Sequence, residues 1–458
     1  YYWWRYVNWG SGQYWAASHF NDNNAYYTLL DFWDYEVRDN TIAGRLCGLS
    51  VRLVQTIIPT SYSISTFASP IEGGVVTGSG EYVPNGTCTV TAIPYEGYSF
   101  VSWVEKGEVV STDAAYTFEV TKNRNLTAHF SNGETGLLNG VFSISNTAQV
   151  SFSKGNLQYI GSETMPYWKF ADNQWGYFGT TTEQNSNGKN VDRDLFGWGT
   201  SGYNHGAVCY QPWSTEQNSS NYYAYGNWQN NLYDQTGKAD WGYNAIINGG
   251  NQVNSGWRML TSDEWNYLFS TRNTISGIRW ASGRVNGVNG VILLPDNWTT
   301  SIYGLNNVNG GNYNDNIITA EEWTNTLEAN GAVFLPASGH RIGTSVSYVN
   351  NYGVYWSSTY GSSSYARNIW FYSSYMNLQD NYQRYYGRSV RLVQTIQATS
   401  YIISASSNPE IGGSVTGIGS YGIGETCTLT ATPSYGYAFA NWTKDGIEVS
   451  TDSIYSLD

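Results

Sequence analysis

Between Thr60 and Ser131 apolar and polar residues alternate in short runs, TSYSISTFASP, GGVVTGSGEYVPNGTCTVTA, PYEGYSFVSWVEKGEVV and YTFEVTKNRNLTAHF, punctuated by Gly and Pro. A period of two with such punctuation predicts short strands joined by turns. The pattern returns from Thr399: Thr60, Cys88 and Trp103 find Thr399, Cys427 and Trp442 each 339 residues further on, and Ser50 and Ser389 share that spacing. The chain therefore reads as one full period of a tandem repeat plus part of the next. Between the two small modules, residues 136–397 open with strand-like GVFSISNTAQVSFSKGNLQYI and pass through loops rich in Asn, Gly and Trp. They close with the strand signals VILLP, AVFLPA, YWSST, ARNIWFY and SVRLVQT. The period turns helical in two places. Thr261 to about Thr271 carries a capping box, Thr261 with Glu264, and sets Trp265, Leu268 and Phe269 on one face. Thr319 to about Ala329 repeats the device with Thr319 and Glu322, Trp323 and Leu327 inward, and Gly331 past the end.

The stretch Gly353–Ile396 has an altered copy at Ser11–Ile57. Both carry Tyr-Trp near the start (Tyr14, Trp15; Tyr355, Trp356), an alanine ten residues after the Trp (Ala25; Ala366) and the ending SVRLVQTI. With the alanines in register, Phe371 meets Leu30 and Ile369 meets Thr28, whereas Trp370 meets Leu29, Tyr372 meets Asp31 and Asn368 meets Tyr27. Alternate residues of a strand face opposite sides, and a buried face accepts only swaps of similar volume. The face of Ile369 and Phe371 is thus expected inward, and that of Asn368, Trp370 and Tyr372 outward: a fixed scaffold with an interchangeable surface.

Composition sharpens this. A chain of 458 residues expects two to four domains. Helix formers are scarce beside 50 Gly and 40 Tyr, so β and irregular structure should dominate. A net charge of −13 with only 12% charged residues argues against a nucleic-acid backbone or an anionic membrane as partner. The 20 Trp exceed what a core of this size needs, and Tyr, Trp, Ser, Gly and Asn together are the palette of binding loops. Cys88 and Cys427 hold equivalent strand positions and should be small buried apolar residues, Cys47 lies in the variable stretch where the other copy has Tyr386, and Cys209 has no evident partner. None has the spacing of a zinc site or a disulfide framework. No apolar run reaches membrane-span length. The chain begins and ends inside modules, so it reads as a fragment whose signal and anchor lie outside it, and residues 1–57 should be poorly stabilised without their missing partner strands.

The small module resembles the bacterial surface-repeat family related to the B-repeats of internalins, through GGxVTGxGxY at Gly73 and Gly412, the TAxP turn at Pro94 and Pro433, GYxF at Gly97 and Gly436, and Trp103 and Trp442. That resemblance implies a β-grasp-like spacer in secreted or surface-attached proteins. In residues 136–397, DWGYNAIINGGN, SGWRMLTSDEWNYLF, GIRW, VNGVILLPDNW, ANGAVFLPASGHR, YGVYWSS and GRSVRLV are similar to surface proteins of gut Bacteroidetes and to the Fibrobacter major-paralogue family. These imply a C-type-lectin-like fold related to formylglycine-generating enzymes. The stretch 360–386 also resembles the variable regions that retroelements diversify at adenines, which fill with Tyr, Asp, Ser, His and Asn. The expected fold class is α+β, mostly β and loop: a C-type-lectin-like fold with two short helices alternating with β-grasp-like modules. The expected domains are 1–57 (the end of a first lectin-like domain), 59–131, 136–397 and 399–458.

Catalytic signals are few. His19, His129, His205 and His340 stand in no ligand spacing, although His340 in ASGHR lies beside the variable strands. There is no GxSxG elbow, and Gly417, Gly419 and Gly422 spell GxGxxG with no helix after them, so they read as a turn. Asp263, Glu264, Glu321 and Glu322 sit in first helical turns, where they offset the helix dipole. Asp192 and Asp194 offer too few oxygens for calcium. The sugar-binding tripeptides EPN and QPD of lectins are absent from the expected loops, and residues 353–397 lack the cysteine pair that formylglycine chemistry requires. The expectation is a protein that is not an enzyme and has no cofactor and no bound metal.

What remains is binding. Tyr360, Tyr365, Asn368, Trp370, Tyr372 and Tyr375 are expected outward, with Tyr382, Arg384, Tyr385 and Tyr386 beyond them and Arg367 and Arg388 at the margin. Asn377, Asp380 and Asn381 add polar groups to the same surface. Trp, Tyr and Arg are the commonest interface hot spots, and many exposed rings call for a partner. The expected partner is a protein or a glycan at a cell or host surface, with no nucleic acid and no membrane span. The alternatives are a stalk or filament of modules that contact only one another or, further off, a relative of the formylglycine-generating enzymes.

Overall fold

The computed structural model describes residues 11–21, 24–31, 36–44, 59–181, 188–204, 207–396, 400–422, 424–444 and 446–457; for 11–44 and 400–401 it describes the backbone alone. Cys47 and the first SVRLVQTI ending lie outside the described residues. The chain forms two compact units, Tyr1–Ser61 and Tyr62–Asp458. In the first, β1 (Ser11–Asn21), β2 (Asn24–Asp31) and β3 (Glu36–Gly44) make an antiparallel sheet in that order.

The second unit starts with eight strands: β4 (Tyr62–Ser69), β5 (Gly74–Thr77), β6 (Gly80–Tyr82), β7 (Thr87–Pro94), β8 (Ser99–Glu105), β9 (Glu108–Ser111), β10 (Ala115–Glu119) and β11 (Arg124–Ser131). They form a five-stranded sheet, β6-β4-β11-β8-β9, and a three-stranded one, β10-β7-β5. The alternation puts Ile64, Cys88, Val90, Trp103, Leu126 and Phe130 into one core. Its central strand is β11, parallel to β4 from Arg124↔Ile64 to His129↔Ser69 and antiparallel to β8. Gly73 and Gly74 are required here, because a Cβ on either would fall 2.6–2.7 Å from Phe130.

The next fifteen strands carry the large loops. They are β12 (Phe142–Ser143), β13 (Gln149–Phe152), β14 (Leu157–Ile160), β15 (Tyr167–Phe170), β16 (Trp257–Met259), β17 (Trp280–Val285), β18 (Val288–Leu293) and β19 (Ile317–Ile318). After them come β20 (Val333–Pro336), β21 (His340–Ile342), β22 (Ser345–Ser347), β23 (Tyr352–Tyr360), β24 (Tyr365–Tyr372), β25 (Tyr375–Gln383) and β26 (Leu392–Ile396). The sheet β12-β13-β26-β16 brings the start and end of this region together, and β19-β17-β18-β20 forms beside it. Both helices stand where the capping boxes predict. In α1 (Ser262–Asn266) and α2 (Ala320–Glu322), the Thr side chain accepts from the Glu N–H and the Glu carboxylate accepts from the Thr N–H. Each then widens into a π-helical turn, Tyr267–Thr271 and Trp323–Leu327, where the Arg272 N–H reaches back to Tyr267 O and the Glu328 N–H to Trp323 O. Trp265, Leu268 and Phe269 fill one core with Phe152, Tyr355 and Phe371; Trp323 and Leu327 fill another with Trp298 and Phe334. A buried ion pair, Arg272 Nη1 to Asp296 Oδ1 at 2.8 Å, ties the first helix to the loop after β18, and the Ser143 N–H and hydroxyl both donate to the same carboxylate.

The last strands are β27 (Ser400–Ile403), β28 (Gly413–Thr416), β29 (Gly419–Gly422), β30 (Cys427–Pro433), β31 (Trp442–Lys444), β32 (Ile447–Ser450) and β33 (Ile454–Leu457). The sheet β28-β30-β33 repeats β5-β7-β10, and Cys427, Leu429 and Trp442 are buried as Cys88, Val90 and Trp103 are. Of the GxGxxG string, Gly417 stands between β28 and β29 at φ 87°, a turn, and Gly419 and Gly422 begin and end β29.

The first small module is clamped to the large loops by one asparagine. Asn251 donates from Nδ2 to Ser69 O at 2.7 Å and Phe130 O at 2.9 Å, the ends of β4 and β11, and its own carbonyl lies 3.2 Å from His129 Nδ1. An ion pair between Lys238 and Glu108 flanks this joint. The described residues are mostly β, with two short α-helices among them.

Candidate functional site

The site is built on the sheet β23-β24-β25, which repeats the backbone of β1-β2-β3, 341 positions earlier in the first two strands and 339 in the third. Tyr355↔Ile369 and Trp356↔Asn368 answer Tyr14↔Thr28 and Trp15↔Tyr27. Both sheets shift register after the Trp, at Trp356/Tyr360 and Trp15/His19, and again between Asn368/Trp370 and Tyr27/Leu29. At the second shift, Asn368 pairs with Asp380 and Trp370 with Asn377, so β25 carries one residue more than β24. Such bulges twist a strand and re-aim its side chains. Gly353, opposite Phe371, leaves room for that ring, since a Cβ there would overlap it; Gly12 holds the same position opposite Leu30.

The burial of β24 changes face along its length. Ile369 and Phe371 point into one core and Trp370 and Tyr372 stand on the opposite, partly exposed face, as the alternation predicts. At the other end of the strand it is the opposite parity, Ala366 and Asn368, that is covered, with Ala366 in a core beside Trp356 and Trp198. Asn368 is 1% exposed, which corrects the outward placement. Its amide donates to Asp380 O at 3.1 Å, and its Oδ1 accepts from Arg388 Nη1 at 2.7 Å. Tyr365 and Arg367 fall on the other face from Trp370, and Arg367 Nη1 donates to Gln379 O at 3.0 Å. The residue types predicted as one surface therefore divide between two.

Arg384 and Arg388 are also corrections, at 0% and 3% exposed. The Arg384 guanidinium donates to four carbonyls, Tyr365 O at 3.1 Å, Tyr222 O at 3.3 Å, Trp228 O at 2.6 Å and Ser362 O at 2.8 Å, and lies over the Trp198 ring at 4.6 Å. Arg388 lies between Trp356 at 4.8 Å and Tyr382 at 4.2 Å. Burial lowers its guanidinium to about 9, which leaves it charged at neutral pH. A planar cation satisfies carbonyls and ring faces together, so these two residues hold loops in place and do not project to solvent.

What the sheet does present is a continuous run of rings. Tyr375 meets Trp370 at 5.2 Å and Tyr372 at 5.8 Å; Trp370 and Tyr372 lie 5.8 Å apart at an interplanar angle of 10°. Both contact Tyr352, at 5.9 and 5.2 Å, and Tyr352 meets Tyr348 at 4.9 Å. Tyr348 meets His340 at 5.4 Å, which meets Tyr386 at 5.5 Å; Tyr386 then reaches Tyr382 at 4.6 Å and Tyr385 at 4.9 Å. Tyr348, Tyr375 and Tyr382 are exposed and the other rings partly so. Pairing puts Asn377 and Asp380 on the Trp370 face of β25. Asn381 pairs with Arg367 on the other face. Tyr360 packs edge-on to Trp228 at 6.0 Å, away from this run.

Tyr348, Tyr352 and His340 join the site although the outward face predicted for the duplicated stretch does not contain them. His340 comes from the β21–β22 hairpin, Tyr348 from the turn after it, where Tyr348 and Asn350 both take φ 59°, and Tyr352 from the start of β23. His340 lies in ASGHR beside the variable strands as the sequence places it, whereas Tyr348 and Tyr352 precede the duplicated stretch, where the clustering of aromatics and Asn in SYVNNYG is their signal. Burial and the Arg388 charge push the His340 imidazole down to about 4, so at neutral pH it is an uncharged ring among rings. Among the described residues no three His, Cys, Asp or Glu side chains gather as metal ligands. Glu264 and Glu322 are held in their capping boxes, and Asp194 Oδ2 accepts from the Phe178 N–H at 2.6 Å. The chemistry of the ring face is stacking and hydrogen bonding.

Residues 64–134 and 403–457 match the family profile of the divergent InlB B-repeat domain. Residues 299–393, which include β20 to β25, match a domain of unknown function, DUF8237. No curated protein and no solved structure matches the chain.

Proposed function

We propose that the ring-bearing face of β23-β24-β25 is the ligand-binding face of a secreted or cell-surface repeat protein, and that the B-repeat modules space such faces along the chain. The observation that carries this reading is the unbroken series of nine rings from Tyr375 to Tyr382 and Tyr385, of which Tyr348, Tyr375 and Tyr382 are exposed, with Asn377 and Asp380 on the Trp370 face. Rings of this kind give large rigid contact area with polar edges. They suit a glycan or a protein partner, bound without catalysis, on a C-type-lectin-like scaffold. Among the described residues no helix is long and apolar enough to cross a membrane.

Changing Trp370 and Tyr372 together to Ala is expected to leave the fold standing, because both rings are partly exposed. The loss of stability should stay under about 2 kcal/mol, against about 3–5 for a buried Trp. Binding to a glycan array or to intact cells should fall by at least roughly 30-fold, the equivalent of about 2 kcal/mol for a central aromatic hot spot. Collapse of the fold would place these rings in the core and end the proposal.

The clamp at Asn251 favours a second reading, a stalk of self-packing modules. In that case the double variant would adhere unchanged. Residues 360–386 are further proposed to be diversified between cells, since the two meanders share backbone register while their residues differ. Deep sequencing of codons 353–396 across one lineage should then find substitutions concentrated at adenines and at Trp370 and Tyr372. An invariant stretch would overturn that part and leave a binder of fixed specificity.

A further inference from the structure

Two buried arginines of the duplicated stretch, Arg384 and Arg388, are treated differently by its two copies. The endings align without a gap, RLCGLSVRLVQTI on RYYGRSVRLVQTI, so Arg384 has Arg45 as its counterpart and Arg388 has Leu49. The contacts supply a reason. Arg384 spends its guanidinium on four main-chain carbonyls, groups that are present whatever side chains surround them. Arg388 makes one side-chain hydrogen bond, from Nη1 to Asn368 Oδ1, and among the described residues its Nε has no acceptor. The rest of its surroundings are the rings of Trp356, Tyr382 and Tyr386.

All of these partners except Trp356 change together with Arg388. Pairing sets Asn368 opposite Trp356 as it sets Tyr27 opposite Trp15, and Tyr382 opposite Ala366 as it sets Ala43 opposite Ala25. The aligned endings set Cys47 at the place of Tyr386. The exchange compensates in volume: the small amide becomes a ring where two rings and a guanidinium become Ala, Cys and Leu. A packed site accepts such changes together and resists them singly. The main chain allows the exchange in place, because the Arg388 N–H donates to Phe196 O at 3.0 Å and the Phe196 N–H to Arg388 O at 2.9 Å, a bridge that does not depend on the side chain at 388.

We propose that Arg388 is a positioning residue of the ring run: with Asn368 it holds Tyr382 and Tyr386 at one end, and these four side chains exchange as one unit, whereas Arg384 belongs to the fixed scaffold. The interchangeable part is then two layers deep, with rings above and a guanidinium–amide pair below. Exchanging the unit changes the shape of the face as well as the residue types on it. The bearing of this unit on specificity rests on the reading of the ring-bearing face as the binding face; the unit itself does not.

The unit is tested by placing Asn368→Tyr in two backgrounds of the intact chain, the parent and the triple variant Tyr382→Ala, Tyr386→Cys, Arg388→Leu, and comparing urea denaturation. In the parent the added ring meets the guanidinium and both tyrosines, and the unfolding constant should rise at least about tenfold. In the triple variant it should stay level or fall. Equal effects in the two backgrounds, or a quadruple variant that does not fold, would overturn the unit. Positioning is read separately, from fluorotyrosine resonances assigned by replacement with Phe. Arg388→Leu should shift those of Tyr382 and Tyr386 and leave those of Tyr372 and Tyr375 in place. Arg388→Lys gives a second reading with the charge kept, because an ammonium lacks the planar face that lies against the rings. Resonances of Tyr382 and Tyr386 that stay in place in both variants, or shifts spread evenly over all four tyrosines, would overturn the positioning role. A parent chain that captures no ligand would end the reading of the face and leave both measurements valid.

Discussion

Arg384→Ala is expected to cost about 3–5 kcal/mol of stability, which chemical denaturation would read as a large fall in the unfolding midpoint. The guanidinium donates to the carbonyls of Tyr222, Trp228, Ser362 and Tyr365 in a site closed to solvent. Each buried carbonyl left without a donor costs roughly 1–3 kcal/mol, and water entering the vacated space recovers part of the sum. The stacking on Trp198 and Tyr223 is lost as well. Arg384→Lys should recover little, since a point charge cannot reach four acceptors arranged for a planar fork. The outcome separates two roles within one stretch: Arg384 holds the turn between β23 and β24 on the loops beneath it, while Trp370 and Tyr372 present. A loss below about 1 kcal/mol would return Arg384 to the surface.

The second large effect is a loss of stability in acid. His129 is buried at the end of β11, and desolvation lowers its imidazole to about 4, with the Asn251 carbonyl acting the other way. An unfolded histidine titrates near 6.5. Because the folded value lies below the unfolded one, the unfolded chain binds the extra proton between these limits. Stability is therefore fully present above about pH 6.5 and is lost as the pH falls toward 4, by up to about 3 kcal/mol. His340, lowered for the same reason, acts in the same direction over the same window. Urea midpoints measured from pH 7 to 4 should fall less steeply in His129→Asn than in the parent chain. Parallel slopes would show that the ring is protonated in the folded state and that carboxylates alone set the acid limit.

Much of this molecule is written in local pattern. The capping boxes at Thr261 and Thr319, the inward Trp265 and Trp323, the buried Cys88 and Cys427, and the inward Ile369 and Phe371 follow from periodicity and residue type, which act over a few neighbours. The ring-bearing face was legible in part. Trp370, Tyr372, Tyr375, Tyr382 and Tyr386 share a run of rings as their types predict, but Asn368 lies beneath it, because the bulge in β25 and the turn of β24 between two cores undo a strict alternation. Arg384 and Arg388 read as surface residues by charge. Only the tertiary arrangement of carbonyls and rings around them makes burial tolerable, and no spacing in the chain announces it. The Asn251 clamp joins residues more than a hundred positions apart through backbone carbonyls, which any sequence would supply.

The parallel pairing of β4 with β11 has a mechanical meaning. These are the strands by which the chain enters and leaves the first B-repeat module, and their six rungs run side by side from Arg124↔Ile64 to His129↔Ser69. Tension along the chain draws the start of β4 and the end of β11 in opposite directions, parallel to the strands and across the rungs. The rungs are then loaded together, in shear, and do not open one after another as a hairpin pulled from its free ends would. A module threaded in this way resists a pull along the chain with all six rungs at once.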